Sequence, residues 1–275
     1  HGLLQGTFKN YLRLIDDLGY DEVLSRTGSK TVFPANDEAF ERFFKSNDWG
    51  VGSYDQLTAL QKKVLLYGSM IDNALLLDML PNVSNKTTEP MKGYGLRHYT
   101  NMSVIDSIQF LPGSGSEEVR PVSMPANNSS WKKHYQDGLY VVNDNTQPRM
   151  VHLTREFMIN NGLTTQGDQS DFAILTGTPF ENGMASIFNN IVVKGDVTCQ
   201  NGYIHQMTDV MVPPGNMAQV LRQKDNTTLF SRILDYYAAP YPDEATTTRY
   251  HDWYEEQLRA GRNMAGVPNP ETIYQ

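Results

Sequence analysis

The chain has 275 residues, carries a net charge of −8, and is 39% hydrophobic and 20% charged with a single cysteine. That composition is globular and suits one large domain or two small ones, while the acidity (pI 5.2) disfavours a protein that wraps nucleic acid, which needs a basic face. The lone Cys199 excludes an internal disulfide framework and a cysteine-based zinc site, and the richest apolar run, ALLLDML at 74–80, is far short of the roughly 18 residues of a membrane span.

Residues 7–26 read as helix. Phe8, Tyr11, Leu12, Ile15 and Leu18 fall on one helical face, and Gly19 ends the segment before a short second turn at Val23 and Leu24. Thr31–Phe33 is β-branched and aromatic, hence a brief strand. Pro34 forces its predecessor into an extended backbone and cannot donate to a ladder, so it stops that strand. Asn36 is then the expected N-cap, and Asp37 and Glu38 place negative charge on the positive end of the next helix. Phe40, Phe43 and Phe44 give that helix its apolar stripe.

Ser53 with Gln56 three residues on has the pattern of a capping box for a helix carrying Leu57, Leu60, Val64 and Leu65. Gly68 interrupts it, and MIDNALLLDML is expected as further helix up to Pro81. Residues 82–95 are loop-rich, 96–111 strand-like with a polar break, and 112–138 loop again. GLYVV at 138–142 predicts a strand, and LTREFMINNGL a short helix capped by Thr154 and ended at Asn161-Gly162. Two β-rich runs flank Asn201-Gly202, a strong hairpin signal. The tail is expected to hold a helix up to Pro240 and a second over TRYHDWYEEQLRAGR.

Two of these segments carry a family resemblance. TVFPANDEAF resembles the first signature box of fasciclin-type (FAS1) domains, close to T-V-F-A-P-T-D-E-A-F. NGYIHQMTDVMVPP resembles the second, N-G-x-I-H-x-(I/V)-D-x-V-L-x-P, and VLLYGSMIDNALLLDML stands where the family has its L-L-Y-H segment. The proline comes one residue early here, and the cap is Asn36 rather than Thr. The resemblance implies an α+β fold: a wedge-shaped β-sandwich flanked by helices, occupying residues 1–215. Residues 111–186 exceed a minimal domain and are expected as an elaboration of its core. Residues 216–275 form a helical extension. Because Phe8 to Glu22 and Phe230 to Glu244 share a spacing of Phe, Leu and Asp-Glu, that extension is also a candidate start of a second, incomplete copy.

Candidate site residues divide into structural and binding groups. Thr31, Asn36, Asp37, His205 and Asp209 belong to the two boxes and read as structural. A His-Asp spacing alone, with no nucleophile and no oxyanion site, does not make a catalytic pair. In some animal members a Tyr-His pair is linked to adhesion; Tyr67 matches its first residue, and Gly68 replaces the second. Trp131, His134 and Tyr135 lie among loops beside Lys132 and Lys133. They are either an exposed aromatic binding group or the small core that pins a long loop. Asp106–Ile108 resembles a three-residue O-glycosylation signal with Ser107 as acceptor; Asn85-Lys-Thr and Asn226-Thr-Thr fit the N-glycosylation triplet. Asp16, Asp17, Asp21 and Glu22 lack the spacing and glycine of a calcium loop, and no metal or cofactor is expected.

Together these features predict a non-catalytic module outside the cytoplasm that presents loops to a protein or glycan partner. With the Asp106–Ile108 signal and the sparse cysteine, the same resemblance would set it at a bacterial cell surface, lipid-anchored upstream of His1. The alternatives are an accessory lipoprotein subunit of an outer-membrane nutrient-uptake complex, and an enzyme hidden in the elaboration. The chain shows no nucleophile elbow, paired catalytic carboxylates or zinc motif to support the last.

Overall fold

The computed structural model describes residues 3–26, 29–82, 93–112, 129–134, 136–144, 146–180 and 185–275. The architecture is α+β, the class expected from the sequence, with ten helices and two mixed sheets among the described residues. The chain divides into two compact units. His1–Met102 with Pro148–Pro213 form the first, and Ser103–Gln147 with Pro214–Gln275 the second.

The first unit begins with α1 (Lys9–Asp17) and α2 (Asp21–Arg26), followed by strand β1 (Lys30–Val32) and α3 (Asp37–Lys45). α1 buries Tyr11 and Leu14, and α3 buries Ala39 and Phe40. Both pack with α4 (Ala59–Tyr67) around Leu65 and Leu66 in one apolar cluster. The cap of α4 is not where the sequence pattern put it. Ser53 leads only a 3-10 turn and makes no capping bond, whereas Thr58 and Gln61 form the reciprocal box at the true helix start. Gln56 turns back to accept from the Gly52 amide.

The helix expected over 70–80 is replaced by strand β2 (Met70–Ile71) and a 3-10 turn at Leu77–Met79. Met70 and Ile71 are fully buried and pair antiparallel with Val32 and Thr31. A two-sided apolar run reads the same in a buried strand and in a helix, and here sheet pairing decided between them. The strands complete one seven-stranded sheet in the order β2-β1-β9-β8-β7-β6-β3. Its other members are β3 (Arg97–Tyr99), β6 (Arg149–Leu153), β7 (Ser186–Ile187), β8 (Asn190–Cys199) and β9 (Gly202–Met207).

β8 carries register irregularities between Val192 and Lys194 and between Lys194 and Val197, where Asp196 adopts φ 57°. Such bulges bend a strand and sharpen its twist. One apolar cluster therefore draws Phe33, Ile71 and Met207 from one arm of the sheet and Met150 and Ile187 from the other, a sandwich-like arrangement. The short helices α6 (Arg155–Asn160) and α7 (Asp171–Thr176) bury Phe157, Met158 and Phe172 in a smaller cluster. Thr154 caps α6 through the Phe157 amide, as its sequence predicts.

The second unit is built on a three-stranded sheet, β10-β5-β4. β5 (Leu139–Val142) lies between antiparallel β4 (Ile108–Leu111) and parallel β10 (Ile273–Tyr274). The 16-residue α10 (Glu244–Arg259) is capped by Asp243, which accepts from the Thr246 amide at 2.9 Å. It packs Tyr250 against Val104, Val142 and Ile273. The short α5 (Ser129–Lys132), α8 (Met217–Arg222) and α9 (Thr228–Tyr237) belong to the same unit. No helix among the described residues is long and apolar enough to cross a membrane.

Candidate functional site

The two signature boxes meet in the first unit. β1 runs parallel to β9 with Lys30, Thr31 and Val32 opposite Gly202, Tyr203 and Ile204, and Ala35 bridges to Met207. Thr31 is fully buried; its hydroxyl donates to the Asn73 carbonyl at 2.5 Å and accepts from the Leu75 amide at 2.8 Å, fixing the turn after β2. Asn36 caps α3 by accepting from the Ala39 amide at 3.0 Å. Asp37 serves a different helix. Its carboxylate accepts from the amides of Lys9 and Asn10 at 3.0 and 2.9 Å, from the Asn10 side-chain amide at 3.0 Å and from the Thr7 hydroxyl at 2.5 Å. Phe8 has no side chain able to cap α1, so a residue from the start of α3 caps it instead. Partial burial pushes the Asp37 carboxyl upward, but the donors from Asn10, Thr7 and Lys9 outweigh it and hold the group below the usual carboxylate range.

His205 and Asp209 do not form a pair. The His205 ring is buried between backbone groups: Nε2–H donates to the Leu75 carbonyl at 2.9 Å and Nδ1 accepts from the Asp196 amide at 3.0 Å. Burial lowers its pKa, against the raising effects of Leu75 and Asp196. Asp209 instead binds Arg42 of α3, whose Nε donates at 2.9 Å while its Nη2 reaches the Thr208 carbonyl at 2.6 Å. Both residues hold the second box to its surroundings, and neither is poised to move a proton to a substrate. Asp196, whose carboxylate also accepts from the Leu77 amide at 2.9 Å, was not singled out from the sequence. The available signal was Gly195-Asp196 inside a β-rich run, a composition typical of a bulge.

Tyr67 lies at the end of α4 with its ring 5.3 Å from that of Tyr20. Beside them, Lys30 sits 5.7 Å from the Tyr20 ring centre and forms an ion pair with Asp72. Burial disfavours the Lys30 charge, but Asp72 and Tyr20 more than compensate and raise its pKa. The Asn101 amide satisfies both neighbours when its nitrogen donates to the Asp72 carboxylate at 2.7 and 2.9 Å and its oxygen accepts from the Tyr20 hydroxyl. Tyr20, Lys30, Tyr67, Asp72 and Asn101 thus form one polar-aromatic face along the β1–β2 side of the sheet, with Asp72 60% exposed at its side chain. Four of the five were invisible as a group in the sequence, because 81 residues separate Tyr20 from Asn101. Gly68 adjoins this face. A β-carbon there would lie 2.4 Å from the Val64 carbonyl and 3.0 Å from Pro213, so a larger side chain would displace backbone.

The second unit takes up the remaining candidates. Trp131 is 6% exposed, donates from Nε1 to the Ala238 carbonyl at 3.2 Å and packs with Leu139. It is thus part of a small core. His134 is half-buried, edge-on to Tyr274 at 4.9 Å; burial first and Lys133 second lower its pKa. Tyr135 lies outside the described residues, as does Asn85. The Ser107 hydroxyl is buried, donating to the Val104 carbonyl at 2.7 Å and toward that of Asp144 at 3.3 Å. Asp17 is held by Lys62 and the Tyr54 hydroxyl, and no cluster among the described residues could hold a metal ion.

On this face the Asp72 carboxylate is exposed, while Tyr20 and Tyr67 are partly buried against the helical core cluster. No family model matches the chain, and no curated protein matches it. Among solved structures it is similar to a FAS1 domain pair from the insect cell adhesion molecule Fasciclin I, with 14% identity and a TM-score of 0.35. The match covers 84% of this chain and 56% of that one, so this chain spans little more than half the length of the structure it resembles. The fold described above therefore stands on the strand order and packing of this chain alone.

Proposed function

We propose that this chain is a FAS1-type, non-catalytic binding module that engages a protein or glycan outside the cell through the Tyr67 face. The observation that carries the reading is the parallel pairing of β1 with β9, which brings the two signature boxes into one interior. Both boxes spend their polar side chains on structure: Thr31, Asn36, Asp37 and His205 each bond backbone. What the fold leaves for recognition is the polar-aromatic surface that these elements hold in place.

The module belongs, in this reading, at a bacterial cell surface, anchored by lipid upstream of the segment described. Residues 1–215 are, in this reading, its FAS1-like part, of which Ser103–Gln147 fold together with the extension over 216–275 in the second unit. The test is binding of the purified chain to intact cells and to arrayed glycans, comparing wild type with Tyr67→Ala and Asp72→Ala. Loss of binding at unchanged thermal stability supports the reading. Equal binding by both variants, or turnover of any glycan or peptide during the assay, overturns it. Co-purification with an outer-membrane transporter from native membranes would replace adhesion by an accessory role in nutrient uptake.

A further inference from the structure

α9 is set into its unit with its polarity reversed. A helix of a globular domain turns its apolar stripe inward. Here the small polar Ser231 is 6% exposed, while Leu229, Phe230, Ile233 and Tyr237 are 73%, 54%, 47% and 78% exposed. With 3.6 residues per turn, these four together with Leu234 and Tyr236 fall within one arc of about 160°. Met217 and Val220 of α8 and Tyr241 beyond α9 add further exposed apolar side chains to the same helical segment. Taking roughly 200 Å² for a large side chain, the six α9 residues of this arc expose on the order of 700 Å². The largest apolar patch of an ordinary monomer is about 300–600 Å², whereas each side of a standard protein interface contributes about 800 Å².

We infer that this face is the interface of a homodimer, covered by a second copy of the same chain. A two-fold axis presents the same patch on both sides, so the patch must complement itself. The stripe on α9 does so. With the axis between Ile233 and Leu234 and the two helices antiparallel, Phe230 meets the mate's Tyr237 and Ile233 meets the mate's Leu234, apolar on apolar at the centre of the stripe.

Charge favours the same occupant. Residues 216–241 hold three basic and two acidic residues in a chain of net charge −8, so two copies approach through one of their least acidic segments. A membrane-surface helix instead carries a Lys/Arg-rich polar face; α9 has one basic residue, Arg232. The inference does not depend on the FAS1 reading.

Sedimentation velocity on the intact chain over rising concentration tests it. Wild type is expected to shift from monomer to dimer mass, and Phe230→Glu and Ile233→Glu to weaken dimerisation by roughly tenfold or more each, as central apolar anchors do. Both positions are exposed, and circular dichroism melts report whether each variant folds. As a second measurement, Leu234→Cys in a Cys199→Ser background is expected to form a disulfide-linked dimer on mild oxidation. Overturning results are a wild type that stays monomeric at every concentration, or variants that dimerise as well as wild type. Absence of the Leu234→Cys crosslink, or flotation of monomers with phosphatidylcholine vesicles that depends on Phe230, would also overturn it.

Discussion

Gly202 contributes through the side chain it lacks. A β-carbon there would stand 1.8 Å from the Lys30 carbonyl oxygen, so the parallel approach of β9 to β1 requires glycine. Gly202→Ala must push the strands apart, and we expect a loss of about 1–3 kcal/mol, read from urea melts. Asp37→Asn removes the charged cap of α1 and is expected to cost about 1 kcal/mol at neutral pH. Because the folded carboxyl lies below its ordinary value, its stabilisation is fully present above pH ~3.9 and lost as pH falls further, through the folded value. The difference between wild type and Asp37→Asn should therefore shrink toward zero in melts at successively lower pH.

His152 shows the opposite chemistry. It is fully buried on β6, stacked 5.1 Å from His98, and both its ring nitrogens lack a hydrogen-bonding partner among the described residues. Burial, and then His98, push its pKa down to about 3. The folded state thus holds it neutral, while the unfolded chain takes up a proton below pH ~6.5. Stability from this group is present above pH ~6.5 and is lost as pH falls toward the folded value, by about 1.4 kcal/mol per pH unit. His152→Phe should flatten the fall in stability between roughly pH 6.5 and 5, where carboxylates contribute least. An unchanged slope would show that the ring is hydrated or already paired.

At the scale of elements, caps and turns were set locally and pairings were not. Asn36 and Thr154 cap where the sequence placed them, and the hairpin turns at Gln200-Asn201, one residue before the expected Asn201-Gly202, because each needs only its own few residues. The start of α4 shows the limit of such signals. Two boxes of similar pattern compete within nine residues, and the one at Thr58 and Gln61 formed. Thr58→Ala is accordingly expected to cost about 0.5–2 kcal/mol and Ser53→Ala less than about 0.5 kcal/mol. The reverse order would return the cap to Ser53. Residues 70–80 read as helix because a run of Leu, Ile and Met fits either period; antiparallel pairing with β1 made Met70 and Ile71 a strand.

Across the whole molecule, each unit is assembled from segments far apart in the chain. β4 and β5, read as isolated strands, acquire their third strand from Ile273–Tyr274 and their cover from Tyr250. A chain cut after Pro213 is expected to leave Val104 and Val142 without that cover. The truncated protein should bind a hydrophobic dye and lose amide protection over 108–111 and 139–142 while keeping it over β8 and β9. Retained protection over β5 would show that β4 and β5 are stable without β10 and α10.

The strand stop at Pro34 and the cap at Asn36 were legible because each is written in contiguous residues. The sequence by itself therefore determined the α+β class, the strand-to-helix switch after Pro34 and the hairpin around Asn201. Only the tertiary structure decided that Asp37 caps α1, that His205 bonds Leu75 and Asp196 rather than Asp209, and that Tyr67 shares a face with Lys30, Asp72 and Asn101. Local conformation follows from backbone sterics and nearest neighbours. Contacts between distant segments depend on which faces the chain can bury together, and no short stretch of sequence encodes that.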